Sequence, residues 1–397
     1  MLNLPVLQLY NRNFVFHPMP QKHYDYIITG AGCAGLSLAM HLLQSGAFGN
    51  KKILLVDEAS KDKNDRTWCF WETGEGLFES IVFRKWERLW FYGEDIEKEI
   101  SIEPHRYKMI RGIDFYDYCF QRLNNQLNFE FLHGKVERLL PGAPTGVVVN
   151  GETIFADFVF NSILFEKPLL SKKQHWFLQH FKGWQVKTPT PVFNTGAATL
   201  MDFRISQQHG TAFCYVLPYS PNEALIEYTL FTPGLLKPEE YDEGLKHYIE
   251  DLLRISSYQI TDTEFGVIPM TNYPFPKQQG NIVNIGTAGG QTKGSSGYTF
   301  YFIQQHSKAI VASLQKTGMP FTESASFRFS FYDSVLLQVL QTGSMPGKQI
   351  FSTMFKKNTV TDVLQFLNNE SSLVQELKII SSLPTLPFLK AAAQQVF

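Results

Sequence analysis

Apolar and polar positions alternate in recognisable periods along this chain, and the first clear run begins at Tyr24. Tyr24-Asp25-Tyr26-Ile27-Ile28-Thr29 is β-branched and aromatic, the pattern of a buried strand in a parallel sheet. Leu36 to Leu43 then carries good helix formers and stops at Gly46, which suits a helix C-cap. Lys52-Ile53-Leu54-Leu55-Val56-Asp57 reads as a second strand. Further on, Phe129–Leu139 alternates like returning strands, and Ala156–Ser162 reads as another. Leu225-Ile226-Glu227-Tyr228-Thr229-Leu230-Phe231 is an apolar strand with one carboxylate in it. Asn281–Ile285 is a short late strand, with an amphipathic helix expected from about Thr299. Apolar spacing in Ser334–Leu340 and Val363–Leu367 predicts a helical C-terminal region.

Between the first strand and helix stands Gly30-Ala31-Gly32-Cys33-Ala34-Gly35, in GxGxxG spacing. The chemistry explains the spacing. Gly30 permits the tight turn, Gly32 lets the backbone approach a pyrophosphate, and Gly35 lets the helix pack closely on the strand. The helix N-terminus, with Ala34 in its first turn, then offers unpaired N–H groups and the positive dipole end to the phosphates. Asp57 ends the second strand about twenty residues beyond Gly35, where an acid hydrogen-bonds ribose hydroxyls. Strand, glycine turn, helix, strand and terminal acid in this order predict a dinucleotide-binding fold. A second cluster, Gly286-Thr287-Ala288-Gly289-Gly290 followed by Ser295-Ser296-Gly297-Tyr298, would bring another helix N-terminus near the cofactor. That arrangement favours FAD over NAD.

Composition narrows the partners. The 397 residues carry Lys+Arg 36 against Asp+Glu 37, a net charge of −1, which argues against a nucleic-acid binder. Aromatics are 14% and charged residues only 18%, which suits either a Phe-rich core or a large apolar pocket. Cys33, Cys69, Cys119 and Cys214 form no CxxC pair and no zinc-ligand spacing, so no metal site is expected. Residues 1–23 lack the pattern of a secretory signal, and no stretch reaches about 18 consecutive apolar residues. The expected location is cytoplasmic, with any membrane contact peripheral.

Asp65-Arg66-Thr67-Trp68-Cys69-Phe70-Trp71, Ala224–Thr229, Glu264-Phe265-Gly266-Val267-Ile268-Pro269, Gly286–Tyr298, Asp362–Leu367 and Ser381–Pro384 together resemble the flavin-dependent lycopene cyclases of carotenoid biosynthesis. The resemblance runs from about Tyr24 to the end. Two departures stand out. The family's acidic motif often has two adjacent carboxylates before Thr, whereas Tyr228 takes the second place here, leaving Glu227 as its only acid. Related flavoproteins often have Asp after the first glycine of the late cluster, where this chain has Thr287. The resemblance implies an α/β fold: a Rossmann-like FAD-binding domain of the hydroxylase-like flavoprotein type, with an inserted sheet-rich substrate domain and a helical C-terminal region. The expected boundaries are 24–75, 105–165 and 275–320 for a discontinuous FAD domain, 166–272 for the substrate domain and 321–397 for the helical region.

The resemblance also implies the chemistry. The substrate would be lycopene or another ψ-ended carotenoid, closed to β rings without net redox. FAD would act in reduced form, with NAD(P)H as the reductant. Glu227 would be the acid, and Tyr228 and Phe231 are candidate rings for steadying a cation. Gly30, Gly32, Ala34, Gly35, Asp57, Gly286, Ala288, Gly289 and Gly297 would surround the cofactor. Arg66 would neutralise phosphate or reduced flavin, and Arg111, ahead of a helix, would touch FAD. Leu383–Leu389 is a candidate membrane-docking segment, or else a helix packed on the core. An FAD-dependent monooxygenase or an isoprenoid-chain reductase on the same fold stays open as the alternative.

Overall fold

The computed structural model describes residues 23–321 and 326–396. Residues 1–22, nearly all of the N-terminal segment that lacks a secretory-signal pattern, lie outside the described residues. An eight-stranded sheet forms the first layer. Along its main path run Gln278–Gln279, Ile282–Asn284, Glu152–Asn161, His23–Thr29, Ile53–Asp57 and Phe129–His133. The strands at its centre pair in parallel: His23–Thr29 lies between Glu152–Asn161 and Ile53–Asp57. Ile27, Ile28 and Leu54–Val56 are almost wholly excluded from water, as the unbroken apolar runs require of strands covered on both faces.

The Cys33–Gln44 helix follows the first strand directly and buries residues from Ala34 to Leu42. It packs against the long helix Phe300–Thr317 near the C-terminal side of the chain. The late strand therefore joins the first sheet, and its following helix joins the first helix, although some 250 residues separate them in sequence.

The second layer is a seven-stranded sheet in the order Gln259–Thr271, Trp176–Lys187, Glu223–Thr232, Thr211–Ser220, Ala197–Asp202, Arg88–Gly93 and Ile96–Ser101. The last two strands come from the segment before residue 104, so this sheet reaches beyond the 166–272 segment. Arg88–Gly93 enters parallel to Ala197–Asp202, a pairing with no local signature. A small three-stranded sheet, Thr67–Glu72, Arg106–Arg111 and Arg84–Trp86, bridges the two layers. Its core contacts are aromatic: Trp71, Trp86 and Tyr107 are buried in one cluster with the second sheet's Phe213 and Tyr215.

Among the described residues, the helices Phe327–Thr342, Gly347–Lys357, Val360–Leu367, Leu373–Ser382 and Thr385–Val396 make the C-terminal region. Thr359 and Ser372 cap two of them through side-chain oxygens, which satisfies donors that a helix start leaves unpaired. Leu383 and Phe388 pack inward, while Leu386 and Leu389 stay exposed. The segment is thus both a packed helix and a source of outward apolar side chains. No helix among the described residues is long and apolar enough to cross a membrane.

Candidate active site

The first glycine turn sits at the C-terminal edge of the parallel sheet, where doubly wound folds bind their ligands. Gly30 has φ +87°, a left-handed conformation that glycine adopts without steric cost. A Cβ on Gly35 would lie 1.9 Å from the Gly30 carbonyl oxygen, so only glycine lets the helix come this close to the turn. A Cβ on Gly32 would meet nothing within 4 Å. That position faces open space at a helix N-terminus, the cradle that a pyrophosphate fits. Asp57 lines the same space and holds the turn to the second strand. Its Oδ2 accepts the Ala31 N–H at 2.6 Å and pairs with Lys61 Nζ at 3.2 Å, and its Oδ1 accepts the Ala59 N–H at 2.7 Å.

The late glycine cluster closes over this turn. Gly286 has φ +60°, and a Cβ there would lie 2.7 Å from the Ala34 Cβ. Gly297 faces Gln179 of the second sheet, whose Oε1 occupies the place a Cβ would need. Between the clusters runs a cavity of about 400 Å³, lined in part by Gly30, Gly32, Ala34, Asp57, Arg66, Gly286 and Gly297. These are four of the six glycines, the acid and one of the arginines that the sequence singles out; Gly35 lies outside the lining, against the Gly30 carbonyl. The residues fit a dinucleotide: a pyrophosphate cradle, an acid at the ribose end, and a second glycine turn facing the first. Ala288 and Gly289 are placed differently. They are buried inside a short 3-10 turn, where Gly289 lies against the Asn284 carbonyl, and they shape the wall from behind without lining it. Arg111 also stands outside the lining. Its guanidinium is paired with the Asp114 carboxylate at 2.6 and 2.9 Å and lies 4.0 Å over the Phe83 ring. Arg66 does line the cavity, with an exposed side chain and a long 3.7 Å pairing to Asp65.

The far wall of the same cavity is shared: the second sheet supplies Phe181, Tyr215 and Glu227, the small sheet Trp68 and Tyr107, and the segment running into the long helix Tyr298 and Phe300. Tyr228 and Phe231 are not part of it. Successive side chains on a strand point to opposite faces, so Tyr228 packs behind the sheet in the Tyr241 and Tyr248 cluster. Phe231 shares the face of Glu227 but lies two pleats along, against Phe213 and Phe351.

Glu227 is 9% exposed, and burial pushes its carboxyl well above the usual carboxylate range, with the nearby Glu264 pushing the same way. Glu264 stands in the Glu264–Pro269 string, to which the sequence alone assigns no role. The register explains how the two meet. Gly183, in the strand between them, is the cross-strand partner of Glu227 on one side and of Glu264 on the other. A Cβ on Gly183 would lie 2.9 Å from the Glu264 Cγ and 3.1 Å from the Glu227 Cγ. The missing side chain leaves room for both glutamates to lean over the middle strand. A glycine inside a strand marks close approach of this kind, and it was the available signal. Gly183→Ala should therefore overpack the pair, costing ~1–3 kcal/mol, read as a lower denaturant midpoint with an unchanged m-value.

Fold and cavity together define the hydroxylase-like flavoprotein fold. A flavoprotein/dehydrogenase structure from Cytophaga hutchinsonii superposes with a TM-score of 0.59 at 13% identity, covering 94% of this chain and 99% of that one. The family profile described as lycopene cyclase protein matches residues 25–393, and the chain belongs to that family. A lycopene beta-cyclase from Pseudescherichia vulneris is 24% identical over 255 residues, 62% of either chain. One from Pantoea ananas is 26% identical over 278 residues, 63% of either chain. The similarity thus spans under two thirds of the length of these curated relatives.

Proposed function

We propose that the protein is a lycopene beta-cyclase, an isomerase that closes the ψ ends of a linear carotenoid into β rings. The observation that carries this reading is Glu227: a buried carboxyl favouring its protonated form, at the aromatic end of the cavity that begins at the glycine turns. Ring closure needs a proton at C2 of the terminal double bond, a cation at C1, attack by the C5=C6 bond, and loss of a proton from C6. No atoms or electrons are gained. An alkene is a weak base, so the donor must be an acid kept neutral in an apolar site.

The chain's own residues divide this work. Glu227 delivers the proton to C2. The faces of rings such as Phe181 and Tyr215 stabilise the cation and exclude water that would trap it. Burial keeps the Tyr215 and Tyr107 phenols far above their ordinary range, so they stay neutral beside it. Gly30, Gly32, Gly35 and Gly286 would shape the cradle for FAD, Asp57 would serve its ribose, and Arg66 would offset its negative charge. Reduced FAD, when bound, supplies an electron-rich neighbour to the cation without being consumed, and NAD(P)H is the proposed reductant. Turnover should then require a reduced flavin but no stoichiometric oxidation of NAD(P)H, measured as pyridine nucleotide lost per ring formed under anaerobic conditions. One equivalent oxidised per ring would favour a reductase or monooxygenase.

Lycopene is available to an enzyme only from a membrane, so a peripheral contact belongs to this reading. Leu373, Val374, Leu377, Leu386 and Leu389 are exposed on the last two helices and are the proposed docking face. Expression in a lycopene-accumulating host, followed by pigment analysis, tests the function. Cyclic isomers of unchanged mass support it. Hydroxylated or reduced carotenoids, or unaltered lycopene in a host with abundant flavinated protein, overturn it.

A further inference from the structure

We propose that Glu264 is a positioning residue that shares a single proton with Glu227 across Gly183, holding the proton on Glu227 until the substrate takes it. This rests on the reading of Glu227 as the acid. Glu264 is not among the cavity's lining residues; it lies beside the donor, across Gly183. It is 9% exposed, on a strand that otherwise borders solvent at this end. One of its oxygens, Oε2, accepts the Thr67 hydroxyl at 2.7 Å. The other, Oε1, is buried and has no donor among the described residues. A buried carboxyl oxygen without a donor is costly. The group leaning toward it over Gly183 is the Glu227 carboxyl. A proton on Glu227 supplies the missing donor, so the two carboxyls together are satisfied with one proton and one negative charge. Neither zero nor two charges would meet the same set of partners.

The arrangement also suits the reaction. When Glu227 gives its proton to C2, a C–H bond forms and the pair is left with two negative charges facing the C1 cation. After ring closure the C6–H bond breaks and a proton returns to the site, which restores the single shared proton. No oxidant or other reactant is involved.

Other titratable groups around the pair are Cys69 on the small sheet, Tyr107 beside it, and Cys214, Tyr215 and Tyr219 on the neighbouring strand. Burial raises all of these, so they stay neutral through the working range. Asp262, on the Glu264 strand, is exposed, and the Arg111 guanidinium is paired with Asp114. Glu264 is thus the buried charge whose removal bears directly on Glu227.

The test compares Glu264→Gln, Glu264→Asp and Glu227→Gln in the full-length flavinated enzyme, using lycopene in phospholipid vesicles with dithionite as reductant. Removing the Glu264 charge makes Glu227 easier to deprotonate. The alkaline limb of the kcat profile should therefore move to lower pH by roughly one unit or more, and Glu264→Asp should restore most of it. Infrared difference spectra between H2O and D2O give a second readout that needs no turnover. The carbonyl stretch of a protonated buried carboxyl should be present in the wild type, shifted in Glu264→Gln and absent in Glu227→Gln. If Glu227→Gln is inactive while Glu264→Gln keeps the wild-type limb and band, the pairing is wrong and the acid assignment stands. If Glu227→Gln is fully active, the acid assignment itself fails.

Discussion

Glu227→Gln should retain the fold and the flavin while cyclisation falls by roughly 10²–10⁴-fold, the share that general acid catalysis supplies. Gln keeps the size of the side chain and can still donate to Glu264 Oε1, so the buried neighbour is not left without a donor. It cannot release a proton of comparable acidity to an alkene. The position is buried at 9% exposure between strands on both sides, where an isosteric change preserves packing. Glu227→Asp keeps the acid but withdraws it by one methylene, so part of the activity should survive. Rate measurements on variants matched for flavin absorbance decide this. Near wild-type turnover in Glu227→Gln would move the proton donor elsewhere, and Glu227 would become a structural carboxylate.

Gly32→Val should fold and lose its flavin. The reason lies in the contrast between two glycines of one motif. At Gly35 even a methyl group would collide with the Gly30 carbonyl at 1.9 Å, so Gly35→Ala should disrupt the helix–strand contact and with it the fold. At Gly32 the protein leaves open space, and its φ of −86° is accessible to any residue. A Cβ there meets no protein atom within 4 Å, so the branched side chain of valine should extend into the space of the phosphate cradle. Absorbance of the purified variant near the flavin bands, together with a thermal melt, reads both halves of the prediction. A folded Gly32→Val protein with full flavin occupancy would show that the cradle is placed wrongly.

The cofactor half of the molecule was legible because its signals are local. One hexapeptide, its flanking strand and helix, and Asp57 carry their own turn chemistry and periodicity, and they fold within 35 residues of each other. The second sheet was less legible because its order is set by distant partners. Nothing within Arg88–Gly93 announces that it will join Ala197–Asp202 in parallel. Glu264 shows the same limit more sharply. Its strand was visible as a string, yet its meeting with Glu227 depends on the register of a third strand and on Gly183. Tyr228 could have been excluded from the site by parity alone, since it adjoins Glu227 on a strand and must face the other way. Arg111 looked available as a bare arginine before a helix, but Asp114, one turn on, takes its guanidinium.

The central claim is that an acid closes the ring and no electrons are consumed. The direct test is isotopic. Protein equilibrated in D2O, with its flavin reduced, is given lycopene, and the product is analysed by mass spectrometry and NMR. The account predicts β-ringed product with one deuterium at C2 for each ring formed and no added oxygen or hydrogen pair. Cyclic product without deuterium at C2, or product that has gained oxygen or been reduced, would contradict it.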